Sequence, residues 1–237
     1  MAQPLLTRVL KTINGNEILI QSDNIKAKEH FDDLKNYGDH IIRQMNNDEM
    51  YKEYISGEDL VILDIGGNVG LFSLHCSDCA KVIYSFEPTP KHFSLLEEFT
   101  SPYPNIIPVE MAISDRDGYI SFYTHDDNTT TNSLVNTSGT CLTVKTNSII
   151  NFLNEKNITH VDFIKCDIEG SEMVALKEEC VAPLFDIVDK WFVEVHPSGG
   201  DCPGTVSENR EKLTATFEKF GYKTRCVGWD SFYVYKN

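Results

Sequence analysis

The sequence predicts an α/β fold built on a seven-stranded, mostly parallel sheet whose last strand runs antiparallel. After residue 60, strand-like runs alternate with helix-like runs, which is the pattern of a parallel sheet with helical crossovers. The last two strand-like runs are separated only by Gly228, Trp229 and Asp230. A connection this short cannot cross over between parallel strands, so the final pair must be antiparallel.

The predicted main domain, residues 60–237, alternates between strands and helices. The strands are expected at residues 61–65, 81–86, 106–113, 161–167, 188–195, 221–227 and 231–236. The helices are expected at residues 70–77, 91–99, 147–155, 171–178 and 206–220. A β insertion is expected at about residues 118–146, where two strand-like runs flank a polar stretch.

Residues 1–59 are predicted to form a hairpin and a helical cap. Residues 7–13 and 17–21 alternate between apolar and polar around Asn14-Gly15, which is a strong hairpin signal. From residue 24 to residue 55 the pattern is polar and loosely helical.

The composition is that of an acidic globular protein. Hydrophobic residues make up 41% and charged residues 24% of the 237 residues, which is enough apolar material to bury a core. The formal net charge of −15 and the lack of a dense Lys/Arg cluster argue against nucleic acid as a partner. No apolar run is long enough to span a membrane. The first eight residues lack the layout of a secretory signal, so we expect a cytoplasmic protein.

The seven cysteines are scattered along the chain. An odd, dispersed set favours reduced thiols over a disulfide framework. Cys76 and Cys79 form a lone CxxC on a predicted helix, and a zinc site would need a second pair at a suitable spacing.

A glycine turn after the first strand of the main domain is the clearest functional signal. Residues 61–65 read as a buried strand that carries Asp64, and three glycines follow within residues 66–70. A strand, a glycine turn and a helix start together offer backbone N–H groups to a polar ligand. Glu87 ends the next strand about twenty residues later, an offset that suits a pair of ribose hydroxyls. The pattern predicts a nucleotide-type cofactor, and the alternative is a purely structural turn.

Two further strands carry polar side chains at their carboxyl ends, where open α/β sheets bind ligands. Residues 112–114 end the third strand and could flank a purine. Lys165 and Asp167 share one face of the fourth strand, and Glu169 joins them if the chain stays extended. Polar residues at a buried strand end are costly unless paired or used. They therefore indicate a site, with a structural Lys–carboxylate pair as the alternative.

Glu194 and His196 share a face at the same end of the fifth strand. Together with Asp167 they could hold a divalent cation, or His196 could act as a general base near neutral pH. With a histidine ligand, Mn²⁺, Fe²⁺ or Zn²⁺ would suit the site better than Ca²⁺, and Mg²⁺ is a further candidate. A hydrogen-bonded structural cluster is the alternative.

Taken in order, these motifs resemble those of one family, the FkbM methyltransferases. The resemblance is carried by residues 64–70 (DIGGNVG), 86–88 (FEP), 112–115 (AISD), 163–172 (FIKCDIEGSE) and 193–196 (VEVH). It covers roughly residues 60–196 and implies the Rossmann-like class I methyltransferase fold with S-adenosylmethionine (SAM) as methyl donor. It also implies O-methylation of a hydroxyl on a sugar, a glycan or a related natural product.

The resemblance implies roles for individual residues as well. Asp64 and the glycine turn would surround the methionine part of SAM, and Glu87 would bind its ribose. Asp167 and Glu169 would lie near the sulfonium and the acceptor. The predicted cofactor site comprises Asp64, Gly66, Gly67, Asn68, Gly70, Glu87, Pro88, Ala112, Ile113, Ser114 and Asp167.

The acceptor hydroxyl needs activation, because a neutral alcohol is a poor nucleophile. The predicted catalytic residues are His196, Lys165 and Glu169, with His196 as the preferred base. The second choice is a metal-assisted reaction in which Asp167, Glu194 and His196 hold the ion.

Two other classes of function stay open on the sequence. An NAD-dependent oxidoreductase also uses a glycine turn followed by an acid. Residues 66–70 lack the G-x-G-x-x-G spacing of that class, however, and the final antiparallel hairpin is out of place in it. A non-catalytic SAM-binding partner protein would keep the turn but would have no use for the polar residues at strands four and five.

Overall fold

The structure is a computed structural model, and it describes residues 5–24, 27, 31, 41–43, 45–46, 51–124, 140–198 and 203–236. Most of the predicted helical cap lies outside the described residues, as does the polar stretch of the β insertion. The chain divides into two compact units, Met1–Val109 and Glu110–Asn237. The division into a cap and a main domain at residue 60 stays a prediction.

A β-hairpin opens the first unit. Leu6–Lys11 (β1) and Glu17–Ser22 (β2) pair antiparallel. The N–H of Thr12 donates to the carbonyl of Asn16 at 2.8 Å, and Gly15 takes φ +84° in the turn. Glycine adopts this left-handed conformation without strain. The hairpin predicted around Asn14-Gly15 is therefore present.

Three parallel strands follow in the first unit. They are Leu60–Ile65 (β3), Ala80–Phe86 (β4) and Ile106–Val109 (β5), in that order. Helix Leu71–His75 (α1) connects β3 to β4, and helix Pro90–Thr100 (α2) connects β4 to β5. Five of the six β3 residues are buried, as expected for a parallel strand that is covered on both faces.

The predicted strand at residues 106–113 is wrong in its extent. β5 ends at Val109, and a separate two-residue strand, Ala112–Ile113 (β6), belongs to the second unit. Pro108 lacks an N–H and fits a strand only at a sheet edge, which is the position of β5. A nearly continuous apolar run thus conceals two short strands.

A three-stranded sheet forms the β insertion. Gly118–Thr124 (β7) pairs antiparallel with Thr140–Asn147 (β8), and β6 pairs parallel with β8. Ala112, Phe122 and Val144 make a small apolar core beneath it. The strand pair expected in this part of the sequence is therefore present, with β6 as an additional strand.

Four strands make up the rest of the second unit's sheet. They are Val161–Cys166 (β9), Val188–Glu194 (β10), Lys223–Cys226 (β11) and Ser231–Tyr235 (β12), in the order β11-β12-β10-β9. β9 and β10 run parallel, whereas β12 runs antiparallel to both β10 and β11. With β3, β4 and β5 they are the seven strands of the predicted large sheet. The prediction of a mostly parallel sheet with an antiparallel end is confirmed.

The helices of the second unit differ from the prediction at one place. They are Ile149–Lys156 (α3), Glu172–Ala175 (α4), Glu178–Val181 (α5) and Val206–Lys219 (α6), with a 3₁₀ turn at Ala182–Leu184. The single helix predicted at residues 171–178 is wrong, because extended backbone at Lys177 (ψ 159°) separates α4 from α5. Among the described helices, none is long and apolar enough to cross a membrane.

An aromatic core holds α6 against β10 and β12. The ring centroids of Trp191 and Phe217 lie 5.2 Å apart, and those of Phe217 and Phe232 lie 5.9 Å apart, all edge to face. All three side chains are fully buried, and edge-to-face contacts add to the stabilisation from burial. This packing holds the middle of β10 and the start of β12 against α6.

Gly70 should be intolerant of a side chain. It takes φ +87°, and a Cβ there would lie 2.7 Å from Leu96 Cδ1 and 3.1 Å from Thr100 Cγ2 on α2. We expect Gly70→Ala to lower the free energy of unfolding by about 2–3 kcal/mol, because left-handed strain adds to overlap with α2. Urea denaturation measures the change.

Gly15→Ala is the matched control for this substitution. Gly15 has nearly the same φ, +84°, but nothing lies within 4 Å of its added Cβ. Gly15→Ala should therefore lower the free energy of unfolding only by the left-handed strain, about 1 kcal/mol. Equal losses in the two variants would contradict the packing constraint at Gly70.

Candidate functional site

Asp64 is fully buried at the end of β3 and joins three elements of the first unit. Its Oδ2 accepts hydrogen bonds from Ser73 Oγ of α1 at 2.7 Å and from Ser85 Oγ of β4 at 3.0 Å. Gly67 lies against the same group, and a Cβ there would collide with Ser85 Oγ. The turn therefore needs glycine at this position because the buried Asp64–Ser85 pair leaves no room for a side chain.

Several backbone N–H groups of the glycine turn donate within the unit. Those of Gly66 and Gly67 donate to the carbonyl of Phe86 at 3.1 and 2.8 Å. That of Asn68 donates to Glu87 Oε2 at 3.0 Å. The N–H groups of Gly66, Gly67 and Asn68 are therefore already paired within the unit. For the other N–H groups of the turn, the expectation that they meet a ligand stays a prediction.

Glu87 is buried at the end of β4 and is held by the neighbouring chain. Besides the Asn68 N–H, it accepts the Thr89 N–H at 2.9 Å and the Thr89 hydroxyl, both on Oε1. The Thr89 hydroxyl also lies 3.0 Å from His92 Nδ1. Burial raises the pKa of Glu87 to about 7, although its hydrogen bonds oppose the shift. Glu87, the residue predicted to bind the ribose, is thus held rigidly in place.

Asn68 presents an unsatisfied acceptor in the same turn. Its backbone takes φ +49°, and its Oδ1 is buried without a hydrogen-bond partner among the described residues. A buried acceptor that makes no hydrogen bond costs free energy, because it has lost its contact with water. The turn of the first unit therefore fits a ligand that brings hydrogen-bond donors to Asn68 and Glu87. Pro88, the next predicted contact, is partly exposed beside them.

The residues predicted to border a purine lie at the end of β6 in the second unit. Ala112 packs into the core of the three-stranded sheet, and Ile113 is also buried. The N–H of Ser114 donates to the carbonyl of Asn147 at 3.0 Å. Their role toward a cofactor stays a prediction.

A cluster of titratable side chains, here named the His196 cluster, forms at the carboxyl ends of β9 and β10. Lys165 Nζ lies 3.1 Å from Asp167 Oδ2. His196 Nε2 lies 3.5 Å from Glu169 Oε2 and 3.7 Å from Glu194 Oε1. It also lies 3.9 Å from Asp167 Oδ1. The structure thus brings together all the residues predicted as catalytic or metal-binding.

Glu172 is a further member of this cluster, to which the sequence assigns no role. It is fully buried, and its Oε1 accepts the Ile168 N–H and meets His196 Nδ1, each at 3.0 Å. Its Oε2 accepts the Gly170 N–H at 3.0 Å. An acid at a helix start reads as an ordinary partner of the helix dipole. Only the folded chain shows that it orients His196.

The same hydrogen bonds hold an unusual backbone turn after β9. Glu169 takes φ +53° and Gly170 takes φ +94°. A non-glycine residue in the left-handed region is uncommon and is concentrated at functional sites. Because Glu172 accepts the N–H groups on both sides of Glu169, it keeps this residue in place beside His196.

The surrounding carboxylates determine the protonation of His196. Burial by itself lowers the pKa of the ring, but Glu172 first, and then Asp167 and Glu169, raise it to about 10. The imidazole therefore carries a proton at neutral pH in the protein alone. To act as a base near neutral pH, the ring must first lose that proton. The sequence does not indicate this requirement.

The pKa values of the acids in the cluster are shifted in different directions. Burial, followed by the charge of Asp167, raises the pKa of Glu169 to about 8. The charge of Asp167 and then burial raise the pKa of Glu194 to about 7. Burial acts the same way on Asp167, but Lys165 and His196 outweigh it and hold its pKa below the ordinary value. The cluster thus contains protons that a bound cation could displace.

Three residues of the cluster have the arrangement of a metal site. Asp167, Glu194 and His196 each offer one ligand atom, and these atoms lie within 4.8 Å of one another. They are the three residues predicted as ligands, and carboxylate oxygen with imidazole nitrogen suits first-row divalent ions. The geometry is therefore compatible with the predicted cation.

Asn209 of α6 anchors the chain that leaves the cluster. It is fully buried, and its Nδ2 donates to the His196 carbonyl and to Ser198 Oγ, each at 2.9 Å. This contact holds the backbone of His196 against α6. The sequence carries no signal for it, because an Asn inside a helical pattern usually faces solvent.

Comparison with known proteins associates the sequence with methyltransferases. Residues 64–224 match the family described as the methyltransferase FkbM domain. The chain is 33% identical over 140 residues to the hexuronic acid methyltransferase AglP of Haloferax volcanii. That alignment covers 59% of this chain and 57% of AglP, so the chain spans little more than half of this curated relative.

A solved structure has a similar fold. It is the methyltransferase FkbM from Methylobacillus flagellatus KT, 16% identical, with a TM-score of 0.51. The match covers 77% of this chain and 45% of that chain. At this identity the likeness concerns the fold alone, and it confirms the predicted Rossmann-like class I architecture.

Glu172→Gln should both destabilise the protein and lower the pKa of His196. In the folded protein the pKa of the His196 ring is about 10, which lies above the ordinary value. Its contribution to stability is therefore fully present below about pH 6.5 and is lost as the pH rises toward 10. Removing the buried charge should cost about 3 kcal/mol at pH 6 and clearly less at pH 10. Urea denaturation at both values, with an NMR titration of His196, measures this.

Glu178→Gln is the control, because Glu178 forms a more exposed ion pair with Lys219 in the same unit. Exposed pairs contribute little to stability, so this variant should behave as wild type. If Glu172→Gln lowers the free energy of unfolding equally at both pH values, Glu172 holds the turn but does not raise the pKa of His196.

Proposed function

The chain belongs to the FkbM methyltransferase family, and from this we propose that it transfers a methyl group from SAM to a hydroxyl of a sugar. The observation that carries the proposal is the family match, which extends over both the glycine turn and the His196 cluster. The relative AglP, named for hexuronic acid, supports a sugar acceptor. A uronic acid, free or within a glycan, is the first acceptor to test.

SAM, when bound, supplies an electrophilic methyl group on its sulfonium. We assign its donor groups to the two side chains that can receive them. Glu87 would accept the ribose hydroxyls, and Asn68 Oδ1 would accept the ammonium of the methionine part. The buried unpaired acceptor on Asn68 supports this fit. The remaining proposed contacts are Asp64, Gly66, Gly67, Gly70, Pro88, Ala112, Ile113, Ser114 and Asp167.

Glu87 can accept both ribose hydroxyls only if the Thr89 hydroxyl turns away. A carboxylate has about four lone-pair sites, and three are taken by the Asn68 N–H, the Thr89 N–H and the Thr89 hydroxyl. A second ribose hydroxyl therefore needs the Thr89 hydroxyl to turn away. His92 Nδ1, 3.0 Å from that hydroxyl, is positioned to receive it.

The His196 cluster would activate the acceptor hydroxyl in one of two ways. A cation held by Asp167, Glu194 and His196 would displace the proton of the ring and lower the pKa of the hydroxyl. Without a cation, His196 Nε2 would take the hydroxyl proton after losing its own, with Lys165 and Glu169 beside it. The mutual spacing of the three ligand atoms supports the first arrangement.

The alternatives considered on the sequence fare differently. The methyltransferase family match leaves the NAD-dependent oxidoreductase without support. Only a measurement of turnover distinguishes an enzyme from a SAM-binding partner protein that does not catalyse a reaction. Cytoplasmic residence stays a prediction, which is supported by the free thiols of the six cysteines in the described ranges.

SAM should raise the Tm of the wild-type protein, and Glu87→Gln should remove most of that shift. Ribose donors need the ionised carboxylate, and the pKa of Glu87 lies at about 7. The SAM-induced shift should therefore be larger at pH 8 than at pH 6. Scanning fluorimetry with SAM, S-adenosylhomocysteine and NAD measures this, each variant being compared with its own unliganded Tm.

Glu98→Gln is the matched control for cofactor binding. Glu98 is also a hydrogen-bonded acid of the first unit, with Ser22 Oγ and Asn24 Nδ2 as donors, but it lies outside the turn. It should keep the full SAM shift. Stabilisation by NAD and not by SAM would contradict the assignment of the cofactor.

Methyl-labelled SAM should deliver label to a uronic acid acceptor, and His196→Gln should reduce turnover by about 100-fold or more while keeping the SAM shift. His160→Gln, which alters a more exposed histidine of the same unit, should leave turnover unchanged. The label should resist mild alkali, because a methyl ether is stable where a methyl ester is hydrolysed. Release of labelled methanol would contradict methylation of a hydroxyl.

A chelator separates the two modes of activation. Loss of turnover in EDTA that Mn²⁺ restores would assign the cation-assisted mode. Turnover that persists in EDTA would assign proton transfer to His196 without a metal. Full turnover in His196→Gln would contradict both.

A further inference from the structure

Trp229 is exposed in the turn between β11 and β12. Its side chain is 74% exposed, whereas Trp191, the second of the two tryptophans in the chain, is fully buried. Tryptophan is highly buried on average in folded proteins, and an indole in water forgoes the stabilisation that burial would bring. The position leaves the indole accessible to a ligand.

The turn that carries Trp229 is held in place. Arg210 Nη1 donates to the carbonyls of Gly228 at 3.0 Å and of Trp229 at 2.6 Å. The Val227 N–H donates to the Ser231 carbonyl at 3.0 Å. A ring on a fixed backbone loses little conformational freedom when a ligand binds.

This turn lies at the same end of the sheet as the His196 cluster. Glu194 pairs with Ser231 across β10 and β12, and the Val195 N–H donates to the Asp230 carbonyl at 2.7 Å. Trp229 is the next residue along the chain. Its backbone is therefore beside the segment that carries His196, since paired strands lie about 4.8 Å apart.

Arg210 brings a positive charge to the turn. Its Nη1 is occupied by the two carbonyls, while its Nε and Nη2 have no hydrogen-bond partner in the described ranges. A guanidinium binds carboxylates through its N–H groups. In a chain of net charge −15, a cation at this place would favour the approach of an acidic ligand to this turn.

We propose that Trp229 and Arg210 form the subsite for the sugar ring of the acceptor. The indole would cover the apolar face of a pyranose, and Arg210 would bind a carboxylate on that ring. The subsite thus selects an acidic sugar over a neutral one. This inference rests on the proposed function, which it deepens by naming the residues that would recognise the acceptor.

Fluorescence quenching tests the subsite without turnover. Acrylamide should quench the emission of exposed Trp229, and methyl β-D-glucuronide should protect it. Methyl β-D-glucoside, which lacks the carboxylate, should protect more weakly. Trp229→Phe should leave only the emission of buried Trp191, which assigns the signal. Protection by neither sugar, or equal protection by both, overturns the proposal.

Kinetics provide the second test. Trp229→Ala should raise the KM for a glucuronide acceptor about tenfold, the size of a lost aromatic contact, and should keep the SAM-induced shift in Tm. Arg210→Gln should raise the KM for the glucuronide and not for the glucoside, and Arg210→Lys, which keeps the charge, should recover part of the loss. Tyr119→Ala, which removes a 73% exposed aromatic side chain from β7, should leave the KM unchanged.

The two tests separate failure of the subsite from failure of the function. Protection of Trp229 by the glucuronide without any methyl transfer would contradict the proposed reaction and support the subsite. Methyl transfer to the glucuronide with an unchanged KM in Trp229→Ala would overturn the subsite and leave the reaction standing.

Discussion

The buried carboxylate of Glu172 is the interaction on which the His196 cluster depends. A charge with no access to water must be satisfied by donors, and Glu172 obtains three, from Ile168, Gly170 and His196. Meeting that requirement fixes a left-handed residue at Glu169 and aims the imidazole at the other acids. The geometry of the cluster is thus a consequence of one desolvated charge.

The first unit uses the same device at its glycine turn. Glu87 is also a buried carboxylate, and it accepts backbone N–H groups from Asn68 before it and Thr89 after it. In both units a buried acid holds a turn through backbone N–H groups, Glu87 beside the end of β4 and Glu172 at the start of α4. The two acids differ in their freedom. Each accepts three donors inside the protein, but one donor to Glu87 is the Thr89 hydroxyl, which can turn toward His92 and release a lone pair for a ligand.

Much of the fold follows from local pattern, and the errors have identifiable causes. The connection at residues 228–230 is too short for a crossover, so the antiparallel end of the sheet was predictable. The run at residues 106–113 looks continuous, yet it divides between two sheets. The helix expected at residues 171–178 breaks at Lys177, whose side chain pairs with Asp115 far along the chain. Such distant contacts leave no trace in periodicity.

The sequence by itself determined the order of strands and helices, the glycine turn and the gathering of Asp167, Glu194 and His196 at strand ends, because these depend on residue spacing and on the alternation of side chains. Only the tertiary structure decided that the N–H groups of Gly66, Gly67 and Asn68 are already paired, that Glu172 orients His196, and that the ring is protonated near neutrality. Hydrogen bonding, burial and pKa depend on neighbours brought together by folding, and no local pattern records them.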